Sequence, residues 1–297
     1  MADFVHLHLH SDRSSLDSVI KIPDLVNQVR NLGMNAVAVT DHGVASASIQ
    51  LYKEALKDKN KKGEALVPIK PIIGMEAYLS PTDDHTFKEQ LENQPKQQCY
   101  HLTLLAKNAE GVKQIYELSS RGYLEGFYYK PRISLPMIEE VGKDLIILGA
   151  CAKGPVSWNL KEGHPEAAII WLKRLKEMFP DRFYLELMDH GLDWQAKLNI
   201  ELSNLSQGFD VPWIPTNDAH FLRREDHMIH SLMMCLQLKE TLETLSMRYP
   251  ENCYVRSPEE MISLFGLEAC KRTIAIAEQV EIKLDLGKAF FPIFKED

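Results

Sequence analysis

Short runs of valine, isoleucine, leucine and alanine recur along this chain, separated by longer segments of helical period, and several end in histidine, aspartate, glutamate or cysteine. Such alternation is the pattern of βα units around a parallel sheet or barrel. A strand covered on both faces reads as an apolar run, and each crossover needs a helix. Seven runs qualify: Phe4 to Leu9, Ala36 to Val39, Pro71 to Met75, Leu102 to Leu105, Leu145 to Leu148, Phe183 to Leu187 and Val211 to Pro215. The prolines flanking Trp213 suit a strand start or edge, since proline cannot donate to a ladder. A helix is predicted from about Pro23, with Ile22, Leu25, Val26, Val29 and Leu32 on one stripe and Gly33 as its stop. After about Asp226 the pattern turns helical, ending in Glu268 to Glu281.

With 297 residues, 45% hydrophobic and 26% charged, the chain can bury a large core, which excludes disorder and collagen-like structure. The expectation is one α/β body over residues 1–280 and a tail over 281–297 that carries the apolar Phe290-Phe291-Pro292-Ile293-Phe294. Lysine and arginine number 34 against 42 acidic residues, a net charge of −8, so any nucleic-acid contact must be local. No apolar run approaches the roughly 18 residues of a membrane helix, and Met1-Ala2-Asp3-Phe4 has no signal-peptide character, so a cytoplasmic location is expected. The five cysteines form no CxxC pair and are expected as reduced thiols. The stretches Lys57 to Gly63 and Pro81 to Gln98 read as surface loops.

His6, His8 and His10 alternate on the first run, and the two-residue period of a strand would turn them to one face. Three imidazoles together are costly to bury unless a metal or water accepts them. Asp41-His42-Gly43 and Asn217-Asp218-Ala219-His220 each follow an apolar strand, where α/β folds present ligand-binding groups. Taken singly, each also reads as a cap or turn. Glu76 ends the run Ile73-Gly74-Met75, His101 opens Leu102 to Leu105, and Cys151 closes Leu148-Gly149-Ala150. The plainer readings are an exposed strand-end carboxylate and, for Cys151, a small buried hydrophobe. Asp189-His190 ends another strand, which makes His190 a candidate substrate contact. Histidine mixed with carboxylates suits zinc, manganese or iron better than magnesium.

The set resembles the polymerase and histidinol phosphatase (PHP) family, in particular the PHP domains of bacterial DNA polymerase III α subunits. The resemblance rests on Phe4 to Ser11 with Leu16-Asp17, Gly33 to Gly43, Lys70 to Tyr78, Tyr100 to Asn108, Tyr123 to Ile133 and Thr216 to His220, and so spans almost the whole chain. It implies a distorted (β/α)7 barrel of the α/β class with a trinuclear metal site at the C-terminal ends of the strands. It also implies up to three divalent ions (zinc, manganese or iron) held by His8, His10, Asp17, His42, Glu76, His101, Cys151, Asp218 and His220. His6 matches an upstream histidine that is not usually a ligand. Some polymerase α subunits replace several of these positions with residues that cannot bind metal, whereas all nine here can. Two neighbours depart from the family pattern: Ser18 stands for the usual glycine after the first aspartate, and Gly149 for the usual serine before the cysteine.

The implied activity is metal-dependent phosphodiester hydrolysis, as a 3′–5′ exonuclease acting on a DNA 3′ end, with no polymerase activity in this chain. The implied partners are the polymerase III α catalytic domains, in cis or in trans, and a proofreading exonuclease subunit. Lys130 and Arg132, set among Tyr128 and Tyr129, are candidate phosphate or strand contacts. A module that only stabilises a polymerase and docks a separate exonuclease, or a small-molecule phosphatase or pyrophosphatase, are the alternatives.

Overall fold

The computed structural model describes residues 3–89 and 99–287, so the apolar Phe290 to Phe294 and residues 90–98 of the expected loop lie outside it. Among the described residues eight strands form one curled sheet: β1 (Ala36–Val39), β2 (Lys70–Leu79), β3 (Tyr100–Ala106), β4 (Phe127–Tyr128), β5 (Lys130–Ile133), β6 (Leu145–Leu148), β7 (Phe183–Leu187) and β8 (Trp213–Pro215). β1 and β6 are buried at every position, which is why both are unbroken apolar runs. From β2 the sheet passes to β1 on one side and through β3, β6 and β7 to β8 on the other.

The Phe4 to Leu9 run, expected as the first strand, closes the ring as an extended segment rather than as a regular ladder. The Ala38 amide donates to the His6 carbonyl at 2.8 Å, the Thr40 amide to that of Leu9 at 2.8 Å, and the His10 amide to that of Ala219 at 2.9 Å. Two of the segment's own donors are diverted: the Val5 amide bonds the Thr273 hydroxyl and the Leu9 amide that of Thr40. Side-chain hydroxyls thus compete with the ladder. With this segment, and with β4 and β5 set off the ring beside the end of β2, the staves are seven, a distorted (β/α)7 barrel.

The sheet is not parallel throughout. β3 runs antiparallel to both neighbours, with Leu79 of β2 opposite Tyr100 and Thr103 opposite Leu148. The reversal brings His101, at the start of β3, to the end of the barrel where β1, β2 and β6 finish. β2 is also longer than its apolar run, so Glu76 lies inside the strand, opposite Thr103, and not at its end. Met75, Ala77 and Leu79 pack outward under the helices, which leaves Glu76 facing the barrel interior. β4 and β5 form a hairpin turning at Tyr129 with φ +59°.

The opposite end of the barrel is plugged. Val5, Leu7, Ala36, Ile72, Leu105, Ile146 and Ile214 pack there with Ile276 and Ala277 of the helix Leu267–Glu278 and with Val280. The helix Ile22–Asn31 buries Ile22, Leu25, Val26 and Val29, and Gly33 follows it in the left-handed conformation that glycine adopts without strain. Beyond residue 280, the Glu281 amide donates to the Lys107 carbonyl and the Leu284 amide is bonded to the Tyr52 hydroxyl.

Candidate metal centre

At the open end, His42, Cys151 and Asp218 each stand three residues past the end of a strand (β1, β6 and β8), Glu76 and His101 come from β2 and β3, and His220 follows Asp218. His8, His10 and Asp17 are supplied by the ring-closing segment and the turn after it. Glu76 is central: its carboxylate oxygens lie 2.8 Å from His42 Nδ1, 3.0 Å from His101 Nδ1, 3.3 Å from His8 Nε2 and 3.5 Å from His10 Nε2. Asp218 Oδ1 is 3.1 Å from His10 Nε2 and 3.4 Å from His8 Nε2. Asp17 Oδ2 is 3.1 Å from His220 Nε2 and 3.2 Å from His42 Nε2.

These contacts are not hydrogen bonds. His8 Nε2, His10 Nε2, Asp17 Oδ2, His42 Nδ1, Glu76 Oε2, His101 Nδ1, Asp218 Oδ1 and His220 Nε2 are all buried with no hydrogen-bond partner. Leaving so many polar atoms unsatisfied would cost more than a domain's net stability. Donors held about 2.0–2.2 Å from a shared ion stand about 2.8–3.6 Å apart around it, and the separations above fall in that range. Three overlapping sets have their donor atoms within 4.8 Å of one another: His10, Asp17, His42 and His220; His8, His10 and Glu76; and His42, Glu76 and His101. The residues therefore fit divalent ions. Cys151 borders the same cavity with Sγ 3.8 Å from Glu76 Oε1, and belongs to none of the three sets.

The electrostatics agree. Burial alone would push the three carboxyls up, yet the surrounding imidazoles hold Glu76 and Asp17 well below the usual range and Asp218 below it. Burial also works against charge on His42, but Glu76 and Asp17 prevail and raise it to about 10. His101, where burial dominates, falls to about 4. Burial, with Glu76 and Asp218 adding, pushes the Cys151 thiol up. Ionised carboxylates in this pocket call for positive charge, from protons or from metal. Backbone strain collects here as well: Leu16, Ala150 and Asp218 have φ of +61°, +61° and +44°.

A surrounding layer aims the rings. Glu186, 3% exposed on β7, accepts from His8 Nδ1 at 2.8 Å, the Thr216 hydroxyl at 2.7 Å and the Ala150 amide at 2.7 Å. His8 Nε2 is thereby turned into the site. The Asp218 carbonyl engages His220 Nδ1 at 2.7 Å, and the Tyr249 hydroxyl donates to Asp17 Oδ1 at 3.0 Å. The Ser18 hydroxyl donates to the carbonyls of His10 and His220. Such outer partners tune ligand affinity, so Glu186→Gln is expected to weaken zinc or manganese binding about 10–100-fold, measured by competition with a chromophoric chelator.

The candidate substrate contacts separate. Lys130 lines a cavity of about 440 Å³ beside the cluster. Arg132 is not on that surface: it is fully buried, its guanidinium 5.2 Å from the Tyr128 ring and its Nε bonded to the Gly126 carbonyl. His190 borders a second cavity of about 590 Å³, but the Asn217 carbonyl and Gln195 engage its two ring nitrogens. Sequence reasoning missed Glu186, whose signal was a lone carboxylate in Phe183 to Leu187, and Lys153, which lines both cavities.

His6 stands apart from the cluster, with Nε2 against the Arg256 carbonyl at 2.9 Å, and burial lowers its pKa to about 4. Burial likewise lowers His230 to about 4. The unfolded chain therefore binds more protons than the fold between pH 6.5 and 4, and stability must fall as pH drops through that window. For His6 the loss is about 3 kcal/mol. Urea midpoints of metal-free protein between pH 7 and pH 4.5, followed by tryptophan fluorescence, should decline accordingly.

Among the described residues no helix is long and apolar enough to cross a membrane. The PHP domain family model matches residues 6–190. A DNA polymerase III subunit alpha from Aquifex aeolicus is 41% identical over 246 residues, which cover 82% of this chain and 20% of that protein. Proteins of the same name from Borreliella burgdorferi and Campylobacter jejuni are 37% and 35% identical over 97% and 99% of this chain, and 24% of each of theirs. This chain thus spans about a fifth to a quarter of the relatives it matches. With both the family model and these relatives covering most of its length, the chain belongs to the PHP domain family.

Proposed function

We propose that the cluster holds up to three divalent ions, zinc, manganese or iron, and that the chain is a metal-dependent phosphodiesterase acting on the 3′ end of DNA. The observation that carries this reading is the convergence of eight buried, unpartnered donor atoms on one strand-end pocket. His8, His10, Asp17, His42, Glu76, His101, Cys151, Asp218 and His220 would be the ligands. Bound there, such ions supply Lewis acidity, activating water near neutral pH and neutralising phosphoryl charge. The chain's own groups do the rest. Glu186 and the Asp218 carbonyl fix the ring orientations of His8 and His220. Lys153, which lines both cavities, draws in the phosphate, and the surrounding imidazoles keep the buried carboxylates ionised as ligands, so no separate protein base is required.

The test is hydrolysis of a 3′-recessed, end-labelled DNA by purified protein with added manganese or zinc, alongside Asp218→Ala. Stepwise shortening that the variant lacks is expected. Cleavage that survives in the variant, or none in the wild type, would overturn the assignment.

A second reading is a module that docks polymerase III α catalytic domains, in cis or in trans, or a proofreading exonuclease subunit. One observation favours it: Met228, Ile229, Leu232 and Leu236 are about half exposed or more along the helix His227–Leu238. It requires metal-dependent thermal stability with no hydrolysis of any phosphoester.

A further inference from the structure

Beside the metal cluster, the hairpin of β4 and β5 and the end of the helix Ala109–Leu124 present an arrangement that ordinary packing leaves unexplained. Tyr123, Phe127 and Tyr129 are 47%, 55% and 72% exposed, although large aromatic rings are among the groups a fold gains most by burying. Tyr123 and Phe127 lie near-parallel, centroids 6.2 Å apart and planes 25° from each other. Tyr129 takes a left-handed backbone, φ +59°, at the tip of the hairpin, a conformation costly for a tyrosine. The same cavity is lined by Arg13, Lys130 and Lys153, and its floor is His42, His101 and Asp17 of the cluster. On a chain of net charge −8, three cations and three open rings thus line one cavity that borders the cluster.

We infer that this strip is a binding track for an unpaired nucleic-acid strand, with bases against Tyr123, Phe127 and Tyr129 and phosphates against Arg13, Lys130 and Lys153. The inference rests on the phosphodiesterase reading for the fate of the strand, but not for its binding. Stacking on aromatic faces tolerates any base, and cations spaced along the rings follow the backbone. Paired bases offer no free face for stacking, so the track selects single strands over duplex and gives small phosphoesters nothing to hold. An apolar protein partner, the other natural cover for exposed rings, would bring no anion to this cavity's cations: Arg13, bonded to Gln50 and beside Asp12, Lys130, over the Tyr78 ring, and Lys153.

The test uses the full chain and a fluorescein-labelled oligo-dT, with binding read by anisotropy in chelator so that no cleavage intervenes. The double variant Phe127→Ala/Tyr129→Ala is expected to bind at least about tenfold more weakly. Tyr129→Trp should retain affinity, and melting curves show that the variants are folded. A hairpin-closed duplex of the same length should bind the wild type weakly and be indifferent to the substitutions. Lys130→Gln should reduce the salt dependence of oligo-dT binding, its log–log slope falling by about 0.7. Equal oligo-dT affinity in wild type and double variant, or no binding by the wild type, would overturn the track. Wild-type hydrolysis of bis-p-nitrophenyl phosphate with manganese, measured in parallel, separates the two readings. Hydrolysis with unchanged oligo-dT binding in the variant removes the track and leaves the catalytic centre. Binding lost in the variant with no hydrolysis of either substrate removes the catalytic reading and leaves the track.

Discussion

Glu76→Gln is expected to lower metal-dependent hydrolysis by roughly three orders of magnitude or more, equivalent to about 4 kcal/mol of transition-state stabilisation. No other side chain in the pocket meets so many candidate ligands: its two oxygens stand within 3.5 Å of His8, His10, His42 and His101. Two of the three donor sets include it. The substitution keeps the shape but removes the charge, so ion content per chain should fall along with rate. Elemental analysis after loading, with hydrolysis measured on the same sample, checks both. A variant that keeps its full ion content and wild-type rate would show that Glu76 is only a buried structural carboxylate.

Chelation should have the second largest effect, this time on stability. An ion that binds only the folded chain adds about 4 kcal/mol when present at a thousand times its dissociation constant. For a domain of this size each kcal/mol corresponds to ~2–4 °C, so one occupied site is worth about 8–16 °C and several sites more. The metal-free pocket retains ionised Asp17, Glu76 and Asp218 beside imidazoles that burial and charge drive in opposite directions, His42 up to about 10 and His101 down to about 4. Thermal melts with excess chelator and with excess manganese or zinc measure the difference. Coincident melts would mean that the cluster does not bind these ions in the folded state.

Much of this was legible in the sequence because ligand chemistry and strand ends are both local signals. Asp41-His42 and Asp218-Ala219-His220 sit directly after apolar runs, and the fold brings His42, Asp218 and His220 to one pocket with His8, His10, Asp17, Glu76 and His101. Strand direction was not legible, since an apolar run such as Leu102 to Leu105 reads the same in either sense, and the antiparallel β3 was missed. The extent of β2 was hidden because Glu76 and Tyr78 interrupt its hydrophobic pattern where they turn inward. Arg132 resembled a surface cation among tyrosines, yet the hairpin folds over it, a tertiary outcome with no signature in Lys130-Pro131-Arg132. Glu186 was passed over because one carboxylate in Phe183 to Leu187 looks like an outward-facing position. Only the fold shows that it faces His8.

Anomalous diffraction at the zinc or manganese edge, from crystals of the protein loaded with that ion, tests the central claim most directly. The account predicts two or three peaks inside the cluster, bounded by His8, His10 and Glu76, by His42, Glu76 and His101, and by His10, Asp17, His42 and His220. A loaded crystal with no anomalous peak among these side chains, whatever it held elsewhere, would contradict it.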